Sequence, residues 1–192
     1  MSSVLERTVE QLVERAGTTY YGKYRGTVTN VDDPDNRGRI RATVPAVLGI
    51  HECGWAMPAS PFAGDGHGFL MLPNVGSAVW IEFEAGQLDD PIWSGGWWAQ
   101  GQAPNPGGRN IRVIVSDQGH KIVLDDSAGE VTVTHGKGPE IKLKSNEMTL
   151  TVGACSIKIT DTAISMNDGV VKVGPAGVSL ANGAMSFGVP PT

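Results

Sequence analysis

Residues 155–180 read CSIKITDTAISMNDGVVKVGPAGVSL, a run of short apolar pairs separated by turn residues. Each pair has the form apolar-x-apolar, and the first members follow one another at seven-residue intervals: Ile157/Ile159, Ile164/Met166, Val171/Val173 and Val178/Leu180. Alternation with period two is typical of a strand with one apolar face, and Asp161, Asn167 and Gly174 are turn residues. The stretch therefore predicts a repeat array of strands about three to five residues long.

The same pattern continues on both sides of this stretch. Further pairs are Ile122/Leu124, Val131/Val133, Ile141/Leu143, Met148/Leu150 and Met185/Phe187. Phe187 is the single aromatic residue beyond Trp98, so the repeat has few large rings with which one chain could fill a core. Each strand places two side chains on its apolar face, which is too little to stabilise a sheet within one chain.

Three chains wound around one axis would bury these pairs and cover the strand edges. We therefore predict an obligate homotrimer whose C-terminal part is an intertwined trimeric β-helix, a stiff needle. Eight basic and eight acidic residues are scattered over 104–192, as on a solvated outer face. The predicted core of the trimer axis comprises Ile157, Ile159, Ile164, Met166, Val171, Val173, Val178 and Leu180.

The region before the repeat has a different composition. All five tryptophans lie between Trp55 and Trp98, and such rings fill a globular core efficiently. Short strands alternate there with turns such as 32–38, which favours a small closed barrel of the OB-fold class. We predict an all-β protein with three parts: a helix in 1–18, an OB-fold in 19–103 and the trimeric β-helix in 104–192.

The N-terminal helix is predicted over Val4 to Ala16. Its apolar residues recur near a 3.6-residue period, which places Val4, Leu5, Val9, Leu12 and Val13 on a stripe. A helix of this length is marginal in isolation, so it docks on another surface. Packing on its own domain and packing on a partner are equally good interpretations.

An ordered string of residues in the barrel region resembles a known family. The string contains Gly26-Thr27-Val28, Asp33-Pro34, 38–45 (GRIRATVP), 73–76 (PNVG) and 79–83 (VWIEF), and the short repeat follows it. Together they look like the central spike of contractile injection systems, a family that includes phage baseplate assembly protein V, the phage T4 tail-lysozyme spike and the VgrG proteins of type VI secretion. We therefore expect a spike without the fused hub module of VgrG and without the lysozyme domain of the T4 spike.

The resemblance implies two further protein partners. A separate hub, similar to the T4 hub, would lie above the barrel, and the apolar helix stripe is our candidate for contacting it. Related phage spikes end in a His-x-His iron site, which is absent here, so the resemblance implies a separate PAAR-like tip protein. Its candidate contacts are Phe187, Gly188, Val189 and Pro190.

Other site chemistry has little support in the sequence. His51-Glu52-Cys53 and His67 lack the second cluster that a metal site needs. On a threefold axis His120 or His135 could hold an ion, but each lies next to a glycine at a turn, so a surface position is the better interpretation. Glu82 and Glu84 are expected on the outer face of a strand whose other side carries Trp80, Ile81 and Phe83, where a solvated edge is a better interpretation than an acid/base pair. Residues 19–103 hold five basic and nine acidic groups, which argues against a nucleic-acid groove. We predict no catalytic residues, no cofactor and no metal.

The predicted function is mechanical. The spike would be made in the bacterial cytoplasm without a signal peptide, join a phage tail-like particle and make transient contact with a target membrane. The alternative is a trimeric β-helical tail fibre that binds or degrades surface polysaccharide. That function would need exposed aromatic or acidic residues along the needle, and one aromatic residue lies beyond Trp98.

Overall fold

A computed structural model describes residues 2–175, 177–181 and 184–188 and divides the chain into two compact units, Met1–Gly101 and Gln102–Thr192. The architecture is mostly β, with an N-terminal helix, an OB-like half-barrel and a large antiparallel sheet, which confirms the predicted fold class. None of the helices in the described ranges has the length and apolar character needed to span a bilayer.

The first unit begins with a helix and continues as a half-barrel sheet. Helix α1 spans Ser2–Thr18, slightly longer than predicted. The other elements are β1 (Tyr24–Asn30), β2 (Arg41–Thr43), α2 (Pro45–Leu48), β3 (Met57–Pro58), β4 (Ala63–Gly64), β5 (His67–Gly68), β6 (Ala78–Phe83) and β7 (Pro91–Gly96). Five strands form one sheet in the order β2-β1-β6-β7-β3, and β4 and β5 pair as a separate small hairpin.

Alternating side chains of these strands build the core of the half-barrel. In β6, Val79, Ile81 and Phe83 are buried, while Trp80 and Glu82 are half-exposed on the other face. The expectation that Trp80 shares the inner face with Ile81 and Phe83 was therefore wrong, because strand side chains alternate strictly. The buried apolar residues among those described are Val28, Ile40, Ala42, Val44, Cys53, Ala56, Val79, Ile81 and Phe83.

A buried carboxylate organises the turn between β1 and β2. Asp33 accepts hydrogen bonds from the backbone amides of Arg37, at 2.7 Å, and Arg39, at 3.2 Å. The Arg39 guanidinium adds Nε at 3.0 Å and an Nη at 2.6 Å, and the Asp33 side chain is only 4% exposed. The hydrogen bonds from Arg39 hold the pKa of Asp33 well below its usual range, and those from backbone amides lower it further.

Replacing Asp33 by asparagine should destabilise the first unit at neutral pH and remove part of its acid sensitivity. The pKa of Asp33 is lower in the folded chain than in the unfolded one. The carboxylate therefore stabilises the fold above about pH 4, and this contribution is lost as the pH falls further. We expect Asp33→Asn to lower the thermal midpoint by about 5 °C at pH 7.

Thermal melts at pH 7 and at pH 3 test this expectation. The difference in thermal midpoint between wild type and Asp33→Asn should be smaller at pH 3 than at pH 7. Asp35→Asn is the matched control, because Asp35 also contacts Arg39 but its side chain is 59% exposed. An equal difference in thermal midpoint at both pH values would contradict the stabilising role that we assign to the ionised Asp33 carboxylate.

The second unit is a meander of ten antiparallel strands in which each strand pairs with the next along the chain. The strands are β8 (Ile111–Val115), β9 (Lys121–Asp125), β10 (Glu130–Thr134), β11 (Glu140–Lys144), β12 (Glu147–Val152), β13 (Cys155–Thr160), β14 (Ile164–Met166), β15 (Val171–Gly174), β16 (Gly177–Leu180) and β17 (Met185–Gly188). A single chain thus does form a sheet, which we did not expect from strands this short. The winding of three chains around an axis stays a prediction.

Turn residues make these short connections possible. Between β14 and β15, Asn167 and Asp168 adopt φ angles of 46° and 52°, a left-handed conformation that Asn and Asp tolerate better than most residues. The Asn167 side chain also accepts a hydrogen bond from the Ser156 amide at 2.9 Å. The connection is thereby tied to β13, and the alternation of faces continues into β15.

Candidate functional site

The pairing register of the second unit aligns the apolar pairs into two continuous columns on one sheet face. Ile157 lies opposite Met166, which lies opposite Val171, and Ile159 is related in the same way to Ile164 and Val173. The first column is Ile114, Ile122, Val133, Ile141, Leu150, Ile157, Met166, Val171, Leu180 and Met185. The second is Leu124, Val131, Leu143, Met148, Ile159, Ile164, Val173, Val178 and Phe187, preceded by Arg112.

These columns are exposed in the single chain. Exposed members include Leu124, Leu143, Ile164 and Val173, whose exposed fractions lie between 40% and 45%. The eight residues predicted for the trimer axis all lie in the two columns, but the single chain leaves each of them half-buried or exposed. A contiguous apolar face of this length on a free protein is typical of an association surface.

From β11 to β15 the opposite face of the sheet is polar, whereas in β8 and β9 it carries Ile111, Val113, Val115 and Val123. Lys142, Lys158 and Lys172 alternate along it with the hydroxyl residues Thr149 and Ser165. The Lys158 ammonium lies 3.1 Å from a carboxylate oxygen of Glu147, and this hydrogen bond lowers the pKa of Glu147. The sheet is therefore two-sided in chemistry, with one face suited to water and the other to a partner.

Helix α1 presents a second exposed apolar surface. Val4, Leu5, Val9, Leu12 and Val13 are between 52% and 72% exposed. Its sequence-predicted stripe is thus available for a partner, and the identity of that partner stays a prediction.

The last described strand carries the candidate tip contacts. Phe187 is 61% exposed in β17, and Gly188 ends the strand. Val189 and Pro190, the other two predicted contacts, lie outside the described residues.

The residues with ligand chemistry are dispersed or already partnered. Cys53 is a buried core residue, and burial raises the pKa of its thiol. Glu82 accepts a hydrogen bond from Lys23, which lowers the pKa of the carboxyl group. Within the described residues, no cluster of three or more His, Cys, Asp or Glu side chains has the geometry of a metal site.

The structure brings His120 and His135 together, with ring centroids 4.3 Å apart. The Nδ1 atom of His120 accepts a hydrogen bond from the Gly136 amide at 3.3 Å, and Nδ1 of His135 accepts one from Lys137 at 3.2 Å. Metal coordination through Nε2 normally leaves Nδ1 protonated as a donor. Because both Nδ1 atoms accept hydrogen bonds, a structural role at the ends of neighbouring hairpins explains the two histidines better than metal ligation does.

Sequence reasoning missed an arginine–tryptophan cluster on the outer face of the half-barrel. The Arg25 guanidinium carbon lies 4.7 Å from the Trp97 ring centroid and 5.9 Å from that of Trp80. Arg41 stacks over Trp55 in the same way, at 4.8 Å. The signal was available, since four arginines cluster around the first hairpin, but their stacking partners come from distant strands.

Two sequence families match this chain, one in each unit. Residues 24–98 match the Type VI secretion system/phage-baseplate injector OB domain. Residues 111–186 match the phage baseplate V C-terminal trimerisation domain, and this match supports homotrimer formation. The comparison with individual curated proteins gives no match. The half-barrel, the two apolar columns and the two family matches agree, and the chain belongs to the baseplate spike proteins of phage tails and type VI secretion systems.

Proposed function

We propose that this chain is the central spike of a contractile injection particle, that its first unit attaches to a separate hub, and that its second unit leads the inner tube through the target envelope. A separate PAAR-like protein would cap the needle. The work is mechanical, and no residue needs to react chemically. The pair of continuous apolar columns in a trimerisation unit is the observation that carries this proposal.

The dimensions of the sheet fit the role of a needle. Ten strands spaced by about 4.8 Å give a ladder roughly 43 Å long across the strands. The hydrocarbon core of a bilayer is about 30 Å thick, so a needle of this length exceeds it. Three copies with their apolar columns inward would present charged and hydroxyl side chains outward and have a dry interior along the needle.

The tip contact rests on the exposed end of the columns. Met185 and Phe187 are the last members of the first and second column, and both are more than half exposed. A trimer ends in three copies of this apolar pair. The exposed end supports a PAAR-like cap, which would remove it from water.

The hub contact is assigned to the apolar stripe of helix α1. An amphipathic helix that lays its apolar face into a groove is a common recognition mode. Val9 and Leu12 lie near the centre of the exposed stripe. Arg7 lies on the opposite side of the helix at 100° per residue.

Changing both Val9 and Leu12 to glutamate should abolish co-purification with the hub protein of the same particle. We expect at least about a tenfold loss of hub affinity, because two charges would enter an apolar contact. The matched control is Arg7→Glu, which changes the net charge by the same two units and should retain the hub. Sedimentation should show that both variants remain trimers. Undiminished hub binding by the Val9/Leu12 variant would contradict the assigned contact.

A further inference from the structure

A long loop of the first unit forms an apolar surface that the spike function does not explain. We define the apolar loop as residues 59–75, which include the β4–β5 hairpin. It holds a single charged residue, Asp65. Phe62, Leu70, Met71 and Val75 are each at least half exposed. Such a concentration of exposed large side chains on one loop is typical of an interaction surface.

The apolar loop is held in place by its own hydrogen bonds. The Phe69 amide donates to the Phe62 carbonyl at 3.1 Å. The Ser60 hydroxyl lies 2.6 Å from the Phe69 carbonyl oxygen and 3.0 Å from that of Phe62. The surface is therefore preorganised, which reduces the entropy cost of binding a partner.

The loop itself forms most of the wall of an open groove of about 770 Å³, and this wall is largely apolar. Its lining includes Pro58, Phe62, Leu70, Leu72 and Trp93, and also Gly95 and Gly96 at the end of β7. The groove thus lies beside the last strand of the first unit, immediately before the chain leaves for the second.

Trimerisation through the second unit brings other copies of this chain to the groove before any other partner. Fourteen residues lie between Gly96 and Ile111, where the trimerisation strands begin, and a chain of that length spans at most about 50 Å. Trimerisation therefore holds three copies of the apolar loop close together. Short tethers of this kind give effective concentrations on the order of millimolar, which is enough to occupy a weak apolar contact.

We propose that the apolar loop is a second interface between copies of this chain, in which the loop of one first unit packs against the loop and groove of its neighbour. Around a threefold axis, each loop would contact its two neighbours through different residues. The near absence of charge suits a contact of the loop with copies of the same sequence, because no like charges would be opposed. This interface is independent of the hub contact of helix α1.

Hydrogen–deuterium exchange on the purified full-length protein, without any hub, tests this interface. Amides of 69–75 should exchange at least about tenfold more slowly in the trimer than in the monomeric variant Ile164→Asp. Amides of β6 serve as the internal reference for an intact first unit. Equal exchange in trimer and monomer, or protection that develops only after hub is added, would overturn the proposal.

If Ile164→Asp remains a trimer, a second variant tests the loop interface without requiring a monomer. Phe62→Glu in the otherwise unchanged trimer should remove the protection of 69–75, because it places a charge in the contact. Ile50→Glu is the control, since Ile50 is 91% exposed and lies outside the loop and the groove. Retained protection in Phe62→Glu would contradict the interface.

Discussion

Replacing Ile164 by aspartate should convert the trimer into monomers. Ile164 lies in the middle of the second column, opposite Ile159 on one side and Val173 on the other. A buried carboxylate without a partner costs about 3 kcal/mol or more, and a trimer incurs this cost in each of its copies. Sedimentation at micromolar concentration should show a species of one third of the wild-type mass.

The adjacent residue provides the matched control. Ser165 lies in the same strand but on the polar face, between Lys158 and Lys172. Ser165→Asp introduces the same charge one residue away and should leave the trimer intact. If both variants dissociate equally, or if neither does, the apolar columns do not form the trimer core.

The repeat was predictable because its signal is local. A strand places alternate residues on opposite faces, so each apolar-x-apolar pair determines its own orientation. Once consecutive strands are joined by short turns, the antiparallel register follows, and Ile157 meets Met166. The sequence could not show that each strand pairs with the next strand of the same chain. That outcome depends on whether strand pairing within one chain is more favourable than strand pairing between three chains.

The first unit was less predictable because its features depend on distant contacts. The stacking of Arg25 on Trp97 joins residues far apart in sequence. The apolar loop had a visible signal in the consecutive residues 69–72 (FLML), but a buried strand gives the same signal. The groove depends on the placement of β7 beside Pro58, a long-range contact that the sequence does not show.

Replacing Gly26 by valine should strongly destabilise the first unit while the trimer persists. Gly26 is buried in β1, and a Cβ atom there would lie 3.0 Å from the backbone oxygen of Thr43 and 3.0 Å from a side-chain carbon of Ile81. The Thr43 oxygen cannot retreat without breaking the pairing of β1 with β2. Overpacking of this kind costs about 3 kcal/mol, a large share of the roughly 5–15 kcal/mol that stabilise a domain.

Calorimetry on the full chain measures this effect, because the two compact units should give separate transitions. The transition of the first unit should fall by about 15 °C, while sedimentation should still report a trimer. Gly54→Val is the control, since the nearest atom to its added Cβ is a Pro91 carbon at 3.9 Å. Loss of hub binding in Gly26→Val with the trimer retained would assign attachment to the first unit and assembly to the second. Loss of the trimer as well would contradict the assignment of assembly to the second unit.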